Sequence, residues 1–534
     1  MYKTKILLST AMVACLLLAS LAAYGAADND EVYITGVTPV PGFFSVPFLT
    51  PWENALAVLP QTTTIYLSNG STASVTLSWA TVVPYFPYAF GNYTVIGTFE
   101  LPEGVSQPDP PIPLQVTTIL RVEPGPGWFG NPITLDWEGF YQPGMYVEAK
   151  IWFEGAWQTY YYYVPSSYDG SKPVPLVVEL HGGWCTGAAL WVGTRTDRLA
   201  EKEGFIVVSP NWGAGMPPYI VNVTGYVAEI INAMEANFNI DPRRIYMWGP
   251  SGGGWLTGHF VLNYPGRIAG IGLVSGSISL LERVVTKGEK MRPMTVVMFA
   301  GTKESIGMPP LVGWNDLTVW NHAVAAKLIQ DFHCDPTPQI TDWGSSTNMS
   351  NLDLDELPYW TSVENAILIS QEFPTHVIQY TWTGGIYGSE VIVYDIIGGG
   401  HVWPGGTQYV SLEQVGAETY VIDATELLWK HLSKHSLPEV FEGNVTIKTP
   451  SLTYEGPAEL HISAYTPYEH TVYLHFDDQW IEWNINFKLK LCNVELYHCK
   501  GELGKLLVTV VRTKDKGSYA IAVGCKIFFY GSAS

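Results

Sequence analysis

The feature that most constrains how this chain folds is an apolar segment that ends in a serine among glycines. Residues 244–256 are Arg-Ile-Tyr-Met-Trp-Gly-Pro-Ser-Gly-Gly-Gly-Trp-Leu. The part before Gly249 has the composition of a buried strand, and the part after Gly253 is compatible with a helix. Ser251 stands in the sharp turn between them, in a Gly-x-Ser-x-Gly pattern whose small residues let the chain turn tightly and expose the hydroxyl. The stretch therefore predicts a nucleophilic serine near the N-terminus of a helix, where free N–H groups favour negative charge.

Strands and helices alternate on both sides of this turn. Apolar runs typical of buried strands occupy 174–180, 205–210, 244–249, 268–275, 295–301 and 391–397. Helical spacing is found at 188–203, 222–238, 253–264, 317–331 and 412–431. Such alternation indicates βαβ units and a mostly parallel sheet with helices on both faces. We predict an α/β fold over 145–437, with an insertion at about 305–385 that overhangs the active site and influences substrate choice.

The regions before and after this α/β region have a different pattern. Residues 31–125 contain short β-branched and aromatic runs separated by turn signals such as Asn69-Gly70, and 438–534 have a similar all-β pattern. We therefore expect two all-β, sandwich-like domains that flank the α/β domain. We include association with a cell surface among the roles expected of these domains.

The N-terminus has the pattern of a secretory signal. Lys3 and Lys5 precede an apolar segment at 6–23, and small residues follow at 25–27. We expect 1–27 to be a signal peptide and the protein to be extracellular or at the cell surface, with a retained membrane anchor as the alternative. The formal net charge of −21 argues against nucleic acid and anionic membranes as partners.

Five cysteines remain beyond the predicted signal. Export makes disulfides possible, and the spacing allows a pair between Cys492 and Cys499 and another between Cys185 and Cys334. One cysteine is then left over, and the sequence does not settle the pairing. There is no C-x-x-C pattern, and we expect neither a metal nor a cofactor.

A serine nucleophile needs a base, and the base needs an acid to orient it. His401 follows a predicted strand and three glycines, just before the last helix of the α/β region, and no other histidine of the twelve combines these features. The acid is expected after the strand at 295–301, where Glu304 occurs. The alternatives are Asp316, Asp331 and an acidic cluster. The cluster consists of Asp353, Asp355 and Glu356. Its other interpretations are a solvated face and an incidental calcium site.

An oxyanion hole needs two N–H groups that point at the developing negative charge. Gly252, directly after the serine, is expected to supply one of them, and Gly183 or Trp184, in the glycine-rich loop after the strand at 174–180, the other. His181 in the same loop is predicted to hold the loop in place. Trp255 and Trp403 are candidates for substrate contacts, because indole faces stack on sugars and aryl groups.

Four segments together resemble the polyhydroxybutyrate depolymerase/feruloyl esterase family. They are Pro-Leu-Val-Val-Glu-Leu-His-Gly at 175–182, Gly-Phe-Ile-Val-Val-Ser-Pro at 204–210, the stretch from Ile240 to Gly254, and Gly-Gly-Gly-His-Val-Trp-Pro-Gly at 398–405. The resemblance covers about 145–435 without the insertion. It implies an extracellular serine esterase with an α/β-hydrolase fold that acts on polyhydroxyalkanoates, on feruloyl or acetyl esters of polysaccharides, or on related esters. Residues 64–79 and 91–98 resemble bacterial Ig-like domains.

The chain departs from the family pattern in three places. Pro250 replaces a small residue in the turn, Glu304 stands where the family usually has aspartate, and the insertion is longer than usual. We therefore predict a serine carboxylic ester hydrolase that acts on a small or a polymeric ester, and leave the substrate open. The alternatives are a serine peptidase of the same fold and a non-catalytic surface binding protein.

Overall fold

The computed structural model describes residues 31–135, 144–213, 220–304, 316–465, 469–513 and 517–533, without the side chains of 464, 465, 469 and 470. The predicted signal peptide at 1–27 lies outside these residues. Each helix in the described ranges lacks the length and apolar character that crossing a bilayer requires. The chain forms two compact units. The first comprises the described residues up to Phe44 together with Leu56–Val82 and Thr94–Ile119, and the second comprises Ser45–Ala55, Val83–Tyr93 and the chain from Leu120 onward.

The N-terminal region contains eight strands and a short helix, Trp52–Leu56. The strands are β1 Val32–Val37, β2 Phe43–Val46, β3 Thr62–Leu67, β4 Thr72–Thr76, β5 Ser78–Thr81, β6 Gly91–Thr98, β7 Val105–Ser106 and β8 Gln115–Val122. They form two four-stranded sheets in the orders β4-β3-β1-β7 and β2-β8-β6-β5. Ile34 and Ile65 of the first sheet share an apolar core with Val116 of the second. This is the all-β region expected at 31–125, and its relation to Ig-like domains stays a prediction.

The centre of the second unit is a ten-stranded sheet. Its strands are β9 Met145–Phe153, β10 Ala156–Val164, β11 Val174–Glu179, β12 Ile206–Pro210, β13 Ile240–Pro250, β14 Gly270–Val274, β15 Thr295–Gly301, β16 Gln339–Ser345, β17 His376–Trp382 and β18 Val391–Ile397. Their order is β16-β17-β18-β15-β14-β13-β11-β12-β10-β9. The six central strands, from β18 to β12, run parallel, while β9, β10, β16 and β17 extend the sheet in antiparallel pairs. The mostly parallel sheet predicted from the sequence is therefore present.

Helices cover both faces of this sheet. They are Gly187–Thr194, Thr196–Glu203, Val223–Asn237, Gly252–Asn263, Ile278–Leu280, Thr318–Phe332, Val363–Glu372, Leu412–Val415 and Ala424–Leu432, with a π-helical turn at Leu281–Thr286 and 3-10 turns at Met349–Asn351 and Ile386–Gly388. Successive strand residues belong to two separate apolar cores, as in β13, where Met247 lies in one and Trp248 in the other. This follows from the two-residue period of a strand that is buried on both faces.

Two helices predicted as continuous are each broken in the structure. The helical pattern at 188–203 is interrupted at Arg195, which has a left-handed backbone with φ 60° and ends one helix before the next begins. The pattern at 412–431 is interrupted at Gly416, whose φ is 81°. Asp423 then caps the next helix through the N–H groups of Thr425 and Glu426. Apolar spacing continues through both breaks, so periodicity alone did not reveal them.

The predicted insertion at 305–385 needs a correction. Residues 305–315 lie outside the described residues, but β16 and β17 belong to the sheet itself and extend its edge beyond β18. They therefore do not overhang the strand ends. Short antiparallel strands with mixed polarity carry a weak pattern, since one face is open to solvent at an edge.

The C-terminal region is a closed eight-stranded barrel, not the sandwich expected from the sequence. Its strands are β19 Glu439–Lys448, β20 Thr453–Tyr465, β21 Glu469–Phe476, β22 Gln479–Leu491, β23 Val494–Gly501, β24 Gly504–Thr513, β25 Gly517–Gly524 and β26 Ile527–Ala533. The barrel closes where β19 pairs antiparallel with β26. Sandwiches and barrels share the same in–out alternation, so only the long-range pairing of the first and last strands distinguishes them.

The five cysteines in the described residues are free thiols. Cys499 lies in the barrel core, whereas Cys492 is exposed in the turn before β23. Cys185 and Cys334 are each buried. The two disulfides that the spacing allowed are therefore not formed.

Candidate active site

Ser251 occupies a strained turn at the carboxyl end of β13. The strand ends at Pro250 and the helix begins at Gly252, so Ser251 is the single residue between them. Its φ of 52° and ψ of −118° are unusual for a residue with a side chain. The Ser251 N–H donates to the Val274 carbonyl at 2.8 Å, and the Ser251 carbonyl accepts from Trp255 at 3.0 Å. These two bonds hold the turn in place from the neighbouring strand and from the helix.

The glycines around Ser251 are required by close backbone approaches. A Cβ on Gly253 would lie 1.8 Å from the Leu180 carbonyl oxygen, and one on Gly249 would lie 2.2 Å from the same atom. A Cβ on Gly276 would lie 2.4 Å from the Ser251 carbonyl oxygen. The glycine-rich stretch predicted as a sharp turn thus packs directly against the end of β11.

His401 and Glu304 meet at the same end of the sheet. His401 Nδ1 lies 2.7 Å from Glu304 Oε2, and the two side chains are 13% and 1% exposed. Their loops are tied by backbone bonds, since Lys303 N–H donates to the Gly399 carbonyl at 2.9 Å. A Cβ on Gly301 would lie 2.2 Å from that carbonyl oxygen, so glycine is needed where the two loops approach.

The other carboxylate oxygen of Glu304, Oε1, is also hydrogen-bonded. Oε1 accepts hydrogen bonds from the Ser275 hydroxyl at 2.7 Å and from the Gly301 N–H at 2.8 Å. Both carboxylate oxygens are therefore bonded in a buried setting, which fixes the orientation of the one that faces His401. Ser275 follows β14 and was not singled out by the sequence.

The other acids considered from the sequence are engaged elsewhere. Asp331 forms ion pairs with Lys290 and Lys327. Asp316 accepts hydrogen bonds from Thr318 at the start of a helix. The acidic cluster consists of the exposed residues Asp353, Asp355 and Glu356. Geometry thus places Glu304 alone of these candidates beside His401.

The predicted oxyanion loop lies against Ser251. A Cβ on Gly182 would be 3.5 Å from Ser251 Cβ, and one on Gly252 would be 3.6 Å from the Gly183 nitrogen. Gly252 is the first residue of its helix, so its N–H has no partner within the helix. Trp184 has a left-handed backbone with φ 56°. Gly183 and Gly252 therefore lie beside the serine, and Trp184 lines the same cavity as Ser251.

His181 is bonded within its own loop. Nδ1 lies 2.7 Å from the Gly182 carbonyl oxygen, and Nε2 lies 3.3 Å from the Trp212 backbone nitrogen. Burial lowers the pKa of His181 to about 4, so the ring is neutral at physiological pH. These bonds fit the structural role expected for it.

A cavity of about 190 Å³ opens above these residues. Ser251, His401 and the loop from Gly182 to Cys185 line it. Its aromatic lining consists of Phe90, Trp128, Phe129, Trp184 and Tyr409. None of the described lining residues is an aspartate, glutamate, lysine or arginine. Such a lining favours an uncharged group over an ionic one.

The aromatic lining is held together by ring contacts. Phe129 stacks on Trp184 with ring centroids 5.8 Å apart and planes 9° apart, and Trp128 lies 4.8 Å from Tyr409. The Phe129 N–H also donates to the Trp184 carbonyl at 2.8 Å. Trp128 belongs to a Pro-Gly-rich stretch whose composition predicts a linker, so its role in a cavity wall was missed.

The two tryptophans predicted to contact substrate lie in different settings, and for Trp255 the contact stays a prediction. Trp403 is 1% exposed and its indole N–H donates to Thr425 at 3.0 Å, so it is a core residue and the expectation is wrong. Trp255 is half-buried, stacks near Trp212 and His259, and is absent from the described lining of the cavity. Position near a strand end did not distinguish an inward-packed indole from one that faces the site.

Comparison with known proteins relates parts of this chain to esterases. No protein-family model matches the chain. It is 30% identical over 156 residues to a bifunctional acetylxylan esterase/xylanase of Neocallimastix patriciarum. The aligned region covers 29% of this chain and 22% of that protein. It is 31% identical over 116 residues to feruloyl esterase B of Neurospora crassa, covering 20% of this chain and 39% of that protein.

The comparison also includes a further curated relative and a solved structure. A poly(3-hydroxyalkanoate) depolymerase C of Paucimonas lemoignei is 31% identical over 128 residues, covering 21% of this chain and 30% of that protein. An acetyl xylan esterase from Aspergillus awamori has a TM-score of 0.31 at 14% identity, covering 47% of this chain and 93% of that one. This chain thus spans well under half the length of the curated relatives it matches.

Proposed function

We propose that this protein is a serine carboxylic ester hydrolase in which Ser251 is the nucleophile, His401 the general base and Glu304 the acid that orients it. The observation that carries the proposal is the 2.7 Å contact between the buried, fully bonded Glu304 and His401, which lines the same cavity as Ser251. The sequence similarity to esterases supports the same reaction class.

In the acylation step, His401 Nε2 accepts the proton of the Ser251 hydroxyl as its oxygen attacks the ester carbonyl. The carbonyl π electrons move to the oxygen, which receives hydrogen bonds from the N–H groups of Gly252 and of Gly183 or Trp184. Glu304 stabilises the imidazolium formed at this point. When the tetrahedral intermediate collapses, the ester C–O bond breaks, and the leaving alcohol takes the proton from His401.

In the deacylation step, a water molecule takes the place of the alcohol. His401 accepts one proton from the water, whose oxygen attacks the acyl carbon. Collapse returns the electron pair to Ser251, which recovers its proton from His401, and a carboxylic acid is released. Glutamate in place of aspartate fits this role, because the longer side chain of Glu304 reaches His401 while Ser275 and Gly301 fix its other oxygen.

The lining of the cavity supports an uncharged acyl group with an apolar or aromatic face. Aromatic walls offer stacking surfaces, and the described lining lacks acidic and basic side chains apart from His401. Feruloyl or acetyl groups on polysaccharide and hydroxyalkanoate polyesters fit this description, and they are the substrates named in the relatives. We further propose that the protein is secreted through the signal at 1–27 and that the β domains associate with a polymer or a cell surface.

The test is ester hydrolysis by the purified mature chain. We expect it to hydrolyse p-nitrophenyl acetate, methyl ferulate or a short hydroxyalkanoate oligomer and to be labelled once by a fluorophosphonate. Ser251→Ala should lose both properties, while Ser350→Ala, at an exposed serine, should keep them. A folded Ser251→Ala variant with full activity would refute the proposal, as would a wild-type chain that neither hydrolyses these esters nor takes the label.

A further inference from the structure

A cluster of two histidines and a glutamate lies on the outer wall of the barrel. Glu459 of β20 is directly opposite His475 of β21, and His461 is two residues further along β20 on the same face. One nitrogen or oxygen from each residue lies within 4.8 Å of the others. The neighbours Leu460, Ile462 and Leu474 point into the barrel core, so the three polar side chains converge on the outside.

The distances within the cluster suit convergence on one point. Glu459 Oε2 lies 2.7 Å from His461 Nε2 and 3.4 Å from His475 Nδ1. Ligands of a tetrahedral zinc ion stand about 2.0–2.1 Å from the metal, which places them roughly 3.4 Å apart. The separation of Glu459 Oε2 from His475 Nδ1 already has this value, and all three ligand atoms lie within 4.8 Å of one another.

A second interaction fixes the orientation of His461. Its Nδ1 lies 2.5 Å from the hydroxyl of Tyr387, in the turn Ile386–Gly388 that precedes β18. Metal-binding histidines nearly always bond a second group through the nitrogen that does not bind the metal. Tyr387 is buried at this position, and its hydroxyl is both a donor and an acceptor. It can accept from Nδ1–H when Nε2 binds a metal, and it can donate to Nδ1 when Nε2 carries the proton.

The orientation of His475 is also fixed by a neighbour. Trp480 stacks on His475, with ring centroids 4.1 Å apart and planes 17° apart, and limits the rotation of that imidazole.

The two lysines near the cluster form ion pairs of their own. The cluster borders a cavity of about 720 Å³, whose charged lining also includes Lys290, Arg292, Lys327, Asp331 and Asp478. Lys290 and Lys327 both pair with Asp331, and Arg292 donates to the carbonyl oxygens of Pro265 and Ile268. The cavity leaves room for a water molecule as a fourth ligand.

We propose that Glu459, His461 and His475 form a zinc site in which Tyr387 positions His461. Two imidazoles and one carboxylate are a donor set typical of Zn²⁺, and water completes a tetrahedral shell. On binding, the proton on His461 Nε2 leaves that atom and Nδ1 carries one instead, so the ring stays neutral. The ion links β20 to β21 directly and, through His461 and Tyr387, to the loop before β18. The site is therefore structural and independent of Ser251.

The test uses the full mature chain, made without a polyhistidine tag, stripped with EDTA and dialysed free of it. Calorimetric titration with ZnCl₂ should give one site per chain, and zinc should raise the melting temperature. Titration with Co²⁺ should give the intense visible absorption of a four-coordinate site. Each of His461→Asn, His475→Ala and Glu459→Gln should weaken zinc binding by more than 100-fold, because loss of a ligand costs more than the roughly 10- to 100-fold loss of a second-shell partner.

Control variants separate metal binding from folding. Tyr387→Phe should weaken zinc binding roughly tenfold and leave one site, as expected for loss of an orienting partner. His498→Ala changes a histidine of β23 outside the cluster, and Ser251→Ala changes the proposed nucleophile; both should bind zinc like the wild type. The proposal is overturned if the wild type binds no zinc at 1 mM, or if folded His461→Asn and His475→Ala chains, checked by circular dichroism, bind it as tightly as the wild type.

Discussion

The Ser275 hydroxyl donates a hydrogen bond to Glu304 Oε1 at 2.7 Å, on the opposite side of the carboxylate from His401. Glu304 is 3% exposed, so water cannot replace this bond without entering a buried pocket. Ser275 itself has a left-handed backbone with φ 52°, held by its N–H bond to the Phe299 carbonyl at 2.9 Å. A residue that no sequence pattern singled out therefore fixes the carboxylate that orients the proposed base.

Ser275→Ala should lower kcat for ester hydrolysis by roughly 10- to 100-fold, because a hydrogen bond to a charged group contributes about 1.5–3 kcal/mol. KM should change little, since the Ser275 hydroxyl, although at the cavity wall, is engaged with Glu304. The measurement is steady-state hydrolysis of p-nitrophenyl acetate.

The matched control is Ser279→Ala, at a buried serine whose hydroxyl has no hydrogen-bond partner among the described residues. This variant should keep wild-type kcat. Equal kcat values for the wild type and Ser275→Ala would show that Gly301 alone holds the carboxylate.

The aromatic wall of the cavity leads to a second prediction, about substrate choice. Trp128→Ala should lower kcat/KM for methyl ferulate about tenfold or more and should affect p-nitrophenyl acetate far less. The reason is that the feruloyl ring loses a stacking surface, whose contribution to binding is several kcal/mol at most. The quantity to measure is the ratio of the two kcat/KM values.

Trp157→Ala serves as the control for this effect. Trp157 is 62% exposed on β10 and makes an edge-to-face contact with Trp152, outside the cavity. The ratio should be unchanged in this variant. A parallel loss for both esters in Trp128→Ala would contradict a role in acyl selection and indicate a general disturbance of the site.

The parts of the fold that depend on local pattern were predicted from the sequence. The strand, turn and helix around Ser251 are encoded within thirteen residues, and apolar runs indicate the buried β-strands. His401 was selected by its glycines and its place before the last helix, and Glu304 by its place after β15. Both choices depended on the order of strands and motifs along the chain, which can be read directly from the sequence.

The features that were missed depend on contacts between distant segments. Phe90 and Trp128 join Trp184 in one cavity only because the chain brings loops from far-apart positions together. The closure of the barrel rests on pairing of β19 with β26, and the cluster of Glu459 and His475 rests on the register between β20 and β21. Neither cross-strand register nor the side to which Trp403 packs is fixed by residue type.

Gly253→Ala should abolish labelling of Ser251 by a fluorophosphonate and lower the melting temperature. A Cβ at this position would lie 1.8 Å from the Leu180 carbonyl oxygen, so either the turn or the end of β11 has to move. Gly266→Ala is the control, because a Cβ there meets no atom within 4 Å. A Gly253→Ala chain with wild-type labelling and stability would mean that the turn relaxes at no cost.

The last prediction concerns the pH dependence of stability and rests on Glu179 at the end of β11. Its carboxyl is buried, and Oε1 accepts from Thr196 at 2.8 Å and from the Trp248 indole at 3.1 Å. Burial raises the pKa of Glu179 from 4.5 to about 7. Between these two values the folded chain holds a proton that the unfolded chain has released, so the contribution of this group to stability falls as pH rises.

Glu179→Gln removes this titration and keeps an oxygen for Thr196 and Trp248. The variant should match the wild type near pH 4.5 and should be more stable above pH 7, by ~3 kcal/mol at most, because a tenfold difference in proton affinity between the folded and unfolded chain corresponds to about 1.4 kcal/mol. Urea unfolding at pH 5, 6, 7 and 8 measures the difference. Glu229→Gln, at an exposed position of the helix Val223–Asn237, should show none. A constant difference in the free energy of unfolding between Glu179→Gln and the wild type across this range would contradict the prediction. It would mean that the carboxyl is ionised throughout and that neighbouring groups stabilise the buried charge.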